Sequence, residues 1–200
     1  ALAKKEDQVG FLGDGTSTYF GHTGCAGALK AVDSTISNIK SLVVGAGNAY
    51  SELTLANFES LLGTIPDVAD DGVDLKWYVH RYFYYTVMVK LALAKGGVNA
   101  TEVIQSRVTR QKSYLGYPTE FSQVMPKSEA NSQICALFAN LRMGAYLGDR
   151  RQLSIQQSND VYFDSDQIGI RGTERMAPAV HGVGDTSDAG PVCGLVTAAS

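Results

Sequence analysis

In LTLANFESLLG, apolar side chains recur three and four positions apart. Leu55, Phe58, Leu61 and Leu62 share one stripe, which predicts a helix capped by Thr54 and ended by Gly63 and Pro66. A second stripe, Tyr84, Val87, Met88 and Leu91, predicts a helix over 80–94 with Gly96 and Gly97 beyond its end. Between the two, LKWYV (75–79) reads as a buried strand. Residues 1–12 are good helix formers with Leu2, Val9 and Leu12 as apolar contacts. Gly13 is placed to end that helix in a left-handed conformation, and Asp14 with Gly15 supplies a turn. From 16 to 29 small and polar residues read as an extended loop closing in AGAL, and 30–50 offers short strand-like pieces between turn signals. KGGVNATEVIQSR (95–107) reads as a flexible loop. Short strands are expected at 117–124, 133–138, 151–157, 166–172 and 191–198, broken by Pro118, Pro126 and glycines. Helices and many short strands in mixed order imply an α+β fold, with no internal repeat.

Composition narrows the class. Of the 200 residues, 44% are hydrophobic, enough for a real core, while 18% are charged, below the roughly 25% usual for soluble domains. A surface poor in charge and holding many of the 21 glycines is expected to be partly covered by partners. With 17 basic and 20 acidic side chains and no basic run, the chain lacks the footprint of a dedicated nucleic-acid binder. Three widely spaced cysteines, Cys25, Cys135 and Cys193, argue against a disulfide framework and for a reducing compartment. The longest apolar stretch, TVMVKLALA (86–94), is interrupted by Lys90 and is about half the ~20 residues a membrane helix needs. A soluble protein made in the cytoplasm is expected. Because Ala1 is not a Met and begins as though already inside a helix, processing or truncation upstream is also expected.

The stretch FLGDGTSTYFGHTGCAGAL (11–29) invites tests for chemistry. A phosphate cradle needs glycines after a strand and a Lys entering a helix, whereas here GDG follows a helix and no Lys comes before Lys30. His22 and Cys25 stand three apart, but no second ligand pair answers them, and His80 and His181 are isolated. DVADDGVD and DSDQ lack the register of a calcium loop. No G-x-S-x-G occurs, and Cys135 and Cys193 sit in apolar runs as core fillers. WYVHRYFYY packs six aromatics into 77–85 with only Arg81 for charge, which favours a core or subunit contact over base stacking. No catalytic residue, metal or cofactor is assigned.

The order of several stretches carries a resemblance. FLGDGT with the loop to AGAL, YLGYPTEFSQVMP (114–126), ICALFANLRMGAYLGDRRQLSIQQSND (134–160) and DQIGIRGTERMAPAV (166–180) together resemble tailed-phage major capsid proteins of the Hong Kong 97 type. The resemblance implies the phage major capsid protein fold, with an axial domain and part of a peripheral domain. Residues 1–30 would be the end of the spine helix and its connecting loop in the peripheral domain. Residues 31–165 would form the axial domain, 166–180 a peripheral strand, and 181–200 a return to the axial domain. It implies no enzyme but a structural subunit that self-assembles into pentamers and hexamers, in a virion capsid assembled in the bacterial cytoplasm. Scaffold, protease and portal proteins would attend it, packaged DNA would touch it weakly and without sequence preference, and no membrane would be involved. The N-terminal arm, extended loop and most of the spine helix would precede Ala1. Where some relatives form a Lys–Asn isopeptide cross-link assisted by Glu, Asp166 and Thr173 stand here, so no cross-linking residue carries over.

Within that reading, Lys95, Gly96, Gly97, Asn99 and Arg107 are expected in the axial loop that mediates self-assembly, and Gly13, Asp14 and Gly15 in a structural turn. An encapsulin-like compartment shell is the alternative on the same fold. A small cytosolic hydrolase using Cys25 with His22 or His80 is the alternative of a different class.

Overall fold

A computed structural model describes residues 2–109, 111–158, 163–165 and 167–199. Helix α1 (Leu2–Leu12) leads through a bend to α2 (Cys25–Ala31), strand β1 (Leu42–Val44) and α3 (Leu55–Thr64). Strand β2 (Leu75–Val79) is followed by α4 (Arg81–Phe83), a wider-wound π turn (Tyr84–Met88), α5 (Val89–Lys95) and α6 (Gly97–Thr109). Then come β3 (Ser113–Tyr114), β4 (Tyr117–Phe121), β5 (Ile134–Asn140), the short α7 (Leu141–Gly144), β6 (Ala145–Ser158), β7 (Gly169–Val180) and β8 (Val192–Val196).

Six strands form one mixed sheet in the order β1-β8-β5-β2-β4-β3. β5 lies antiparallel to both β8 and β2, while β1 with β8 and β2 with β4 run parallel. The β2–β4 crossover through α4, α5 and α6 supplies the long connection that a parallel pair demands. Both faces of the sheet are covered, which explains why ICALFAN is apolar without alternation. On one face Cys135, Ala136 and Phe138 of β5 join Trp77, Phe58, Phe83 and Tyr114. On the other, Ile134, Leu137 and Ala139 join Leu29, Ile39, Leu42 and Met125. Trp77 anchors the first core: its ring lies 4.4 Å from Phe138 and its indole N–H donates to the Tyr114 carbonyl at 2.9 Å.

The stripe at 55–62 forms α3, with Phe58 and Leu61 fully buried. Its start is held by the Asn57 side chain, whose Oδ1 accepts from both the backbone N–H and the hydroxyl of Thr54 at 2.8 Å. The stripe at 84–91 also forms a helix, with the π turn at its middle and Tyr84, Val87 and Met88 buried.

Three expectations change. The AGAL segment lies in the helix α2 and not in the close of a loop, and Gly27 presses it against the bend after α1, where a Cβ would overlap the Gly13 carbonyl oxygen. Residues 97–109 are the helix α6 and not a flexible loop. Gly96, at φ 72°, ends α5, and the chain turns back so that α6 packs on α5 with Val103 and Ser106 buried. Finally, β6, expected with residues 31–165, pairs along its length with β7 in a two-stranded sheet of its own. A boundary at 165/166 therefore cuts between the partners of one ladder.

The hairpin leaves the body at a tight neck. The Gly144 carbonyl accepts from the backbone N–H groups of His181 and Gly182, both at 3.0 Å. A Cβ on Gly182 would stand 2.6 Å from the Gly144 Cα and 2.7 Å from Pro191 Cγ. Beside the neck, buried Ser41 donates to the Val183 carbonyl at 2.6 Å and accepts from the Gly190 N–H at 2.9 Å.

Candidate assembly surfaces

Residues 11–29 form a bend and no binding cradle. Gly13 does not adopt the left-handed conformation expected of it. It is glycine because a Cβ would sit 2.5 Å from the Val9 carbonyl oxygen and 2.7 Å from that of His22. Gly15 takes the positive φ of 82° instead, and Asp14 accepts from the backbone N–H and hydroxyl of Thr16 at 3.0 and 2.6 Å. Those bonds, the hydroxyl's first, hold the Asp14 carboxyl below its usual range. The chain bends at Gly15 beside a bridge from Asp14 to Thr23, and close packing is Gly13's task.

The thiols are placed as fillers. Cys25, Cys135 and Cys193 are buried, and burial pushes each up to about 12. A nucleophilic cysteine needs a thiolate near neutral pH, so the hydrolase reading of Cys25 fails on its environment. Among the described residues no group of His, Cys, Asp and Glu is arranged to hold a metal ion. Asp166, named with Thr173 for the cross-link positions, lies outside the described residues; the Thr173 hydroxyl is 2.9 Å from that of Ser154 across the β6–β7 ladder.

The chain's chemistry is instead in its surfaces. The aromatic run 77–85 divides as its strand-to-helix position dictates: Trp77, Phe83 and Tyr84 are buried, while Tyr82 and Tyr85 face outward. His80 caps α4, its Nδ1 accepting from the Tyr82 N–H at 3.0 Å. Burial, with Lys127 nearby, lowers its pKa from the usual 6.5. At the α5–α6 turn Lys95 and Gly97 are exposed, Gly96 and Asn99 are half-buried, and Val98 and Ile104 project from α6. Arg107 lies in the last turns of α6, its side chain outside the described set. The turn thus gathers Lys95 to Asn99 at one place and sets Arg107 further along the helix.

The hairpin is the largest surface that sequence patterning did not resolve. Tyr146, Leu147, Ile155 and Ile170 are each about two thirds or more exposed on it. Near its root, α1 and β7 line an apolar cavity of about 320 Å³ with Phe11, Leu147, Met176 and Pro178. The strands, 145–158 and 169–180, are joined by ten residues and carry exposed apolar side chains, so neither a tight-turn signal nor a buried face marks the hairpin in the sequence.

The phage capsid family model matches residues 1–181. The chain belongs to the phage capsid family. Solved structures share its fold. A chain from Mycobacterium phage Bobi is 19% identical with a TM-score of 0.58, over 100% of this chain and 62% of that one. One from Mycobacterium phage Cain is 17% identical with a TM-score of 0.58, over 100% of this chain and 62% of that one. A chain described as the capsid of an empty GTA particle is 13% identical with a TM-score of 0.54, over 79% of this chain and 50% of that one. This chain of the phage capsid family therefore spans between half and two thirds of the length of those structures. A search of curated proteins finds no match. No helix among the described residues is long and apolar enough to cross a membrane.

Proposed function

We propose that this chain is the shell-forming part of a major capsid protein, which tiles with copies of itself into pentamers and hexamers around viral DNA. The observation that carries the reading is the capsid-family match over residues 1–181 of a chain with the capsid fold. The six-stranded body, residues 31–144 with 181–200, would lie toward the capsomer axes. Helix α1 and the β6–β7 hairpin would form the peripheral part between capsomers. A long hairpin with apolar side chains on view suits contact with neighbours, since isolated two-stranded ribbons are marginal in water. The α5–α6 turn, with Lys95, Gly96, Gly97 and Asn99, would be the axial contact in place of a flexible loop. Scaffold, protease and portal proteins are the partners such assembly calls for. The net charge of −3 accords with weak, non-specific contact with packaged DNA.

Electron microscopy and native mass spectrometry of the whole gene product test this directly. Closed shells with five- and sixfold capsomers, found with portal and DNA, are expected. Shells filled with an enzyme would identify a cargo compartment instead, and a dispersed monomer would overturn both. Lys95→Glu with Arg107→Glu is expected to lower shell yield; unchanged capsomer formation would remove the axial assignment.

A further inference from the structure

The six-stranded sheet ends in two surfaces of opposite charge. A groove of about 340 Å³ opens between residues 82–91 of the helical segment that follows Val79 and residues 50–53, with Ser51, Leu53, Tyr82, Thr86, Lys90 and Glu129 in its wall. Arg81 lies 6.0 Å from the centre of the Tyr85 ring, and Lys127 lies 5.6 Å from that of Tyr82. Among the described residues the ion pairs are Lys76–Glu120 and Arg142–Asp74, and neither includes Arg81 or Lys127. The carboxylate in the groove, Glu129, is directed at the backbone N–H of Tyr50, 3.0 Å away. Tyr82 and Tyr85 remain 49% and 36% exposed.

At the opposite end of β2 stands the turn 67–74. Asp67, Asp70 and Asp71 are exposed there. So are Val68 and Val73, at 72% and 71%. The turn precedes β2, and the helical segment that walls the groove follows it.

We propose that the acidic turn of one copy, with Val68 at its tip, docks into the aromatic and cationic groove of the next copy. The inference rests on the capsid reading and names a contact within it. Charge complementarity selects a second copy as occupant: Lys90 in the wall, with Lys127 and Arg81 beside it, outweighs Glu129, and the same chain carries Asp67, Asp70 and Asp71 around protruding aliphatic side chains, Asp70 accepting from the Tyr117 hydroxyl and Asp71 from the Asn140 amide. Two different patches at opposite ends of one rigid sheet make a heterologous contact, which repeats around a ring and does not stop at a dimer. Tyr and Arg are the residues enriched where such contacts form. Single-stranded nucleic acid stacking on Tyr82 and Tyr85 is the other occupant that the experiment separates.

The test is made on the whole gene product carrying Ser51→Cys with Val68→Cys, treated with a short bis-maleimide. The native thiols are buried and do not compete. A covalent ladder ending at pentamer and hexamer is expected from the paired variant and none from either single one. Adding Lys90→Glu with Lys127→Glu is expected to cut the ladder about tenfold or more. Capsomers that form without linked product would overturn this contact and leave the capsid reading standing; an unsubstituted protein that never assembles would overturn both. If Lys90→Glu with Lys127→Glu abolishes binding of a fluorescent oligothymidylate while the ladder persists, the groove serves nucleic acid and the proposal falls.

Discussion

The sheet body and the hairpin are built from the same kinds of residue under opposite rules. In the body β5 and β8 are covered on both faces, and every residue of each is buried. In the hairpin, isoleucines and a leucine stand in solvent on a ribbon of two strands with no third beside it. The body therefore holds its shape by burial within the chain. The hairpin's strands hold each other through their ladder, and their apolar side chains are left for another surface.

Substitutions separate the two regions. Trp77→Ala is expected to cost about 3–5 kcal/mol, because it removes a fully buried ring and leaves a cavity against Phe58 and Phe138; chemical denaturation of the unassembled chain measures it. Gly182→Ala at the neck is expected to cost about 1–3 kcal/mol through overpacking on Gly144 and Pro191. If the hairpin were independent of the body, that cost would vanish from the body's unfolding transition.

His80 gives a third test, through pH. Its folded pKa is lowered, so the unfolded chain binds the proton better. The contribution is present above the ordinary value near 6.5 and is lost as pH falls through that value toward the folded one. Stability of the body is expected to drop modestly on acidification from neutral pH, and His80→Asn, which keeps a capping oxygen, should remove that part of the slope. The smallest effect is expected from Ile155→Ala, within about 0.5 kcal/mol in the unassembled chain. A loss as large as that of a core leucine would mean that something within the chain already covers the hairpin. Hydrogen exchange should agree, with β6 and β7 amides exchanging sooner than those of β5 and β8.

Sequence made the body legible and the hairpin illegible for one reason. Burial writes a pattern, and solvent does not. The stripe Leu55, Phe58, Leu61, Leu62 and the run ICALFAN announce their elements because a core selects them. GIRGTERMAPAV carries little of that selection, so β6 and β7 were visible only as shorter pieces, and their pairing not at all. Glycines misled twice. Gly96 and Gly97 look like a flexible loop but mark one helix's end and the next one's start, and Gly27 looks like loop punctuation but lies inside α2 against the backbone of Gly13 and Asp14. At the candidate surfaces, the aromatic run 77–85 holds buried Trp77, Phe83 and Tyr84 beside exposed Tyr82 and Tyr85. The groove beside it was not foreseeable, since Ser51 and Lys90 meet there only through the fold.

Where β6 leaves and β7 returns, main chain rests on main chain, with no side chain between Gly144 and Gly182 to be lengthened, shortened or repacked. The bearing of the arm on the torso is thereby set by backbone contact, with the Pro191 and Val192 side chains closing in on the two glycines, so that a carbon added at either one must move a neighbour.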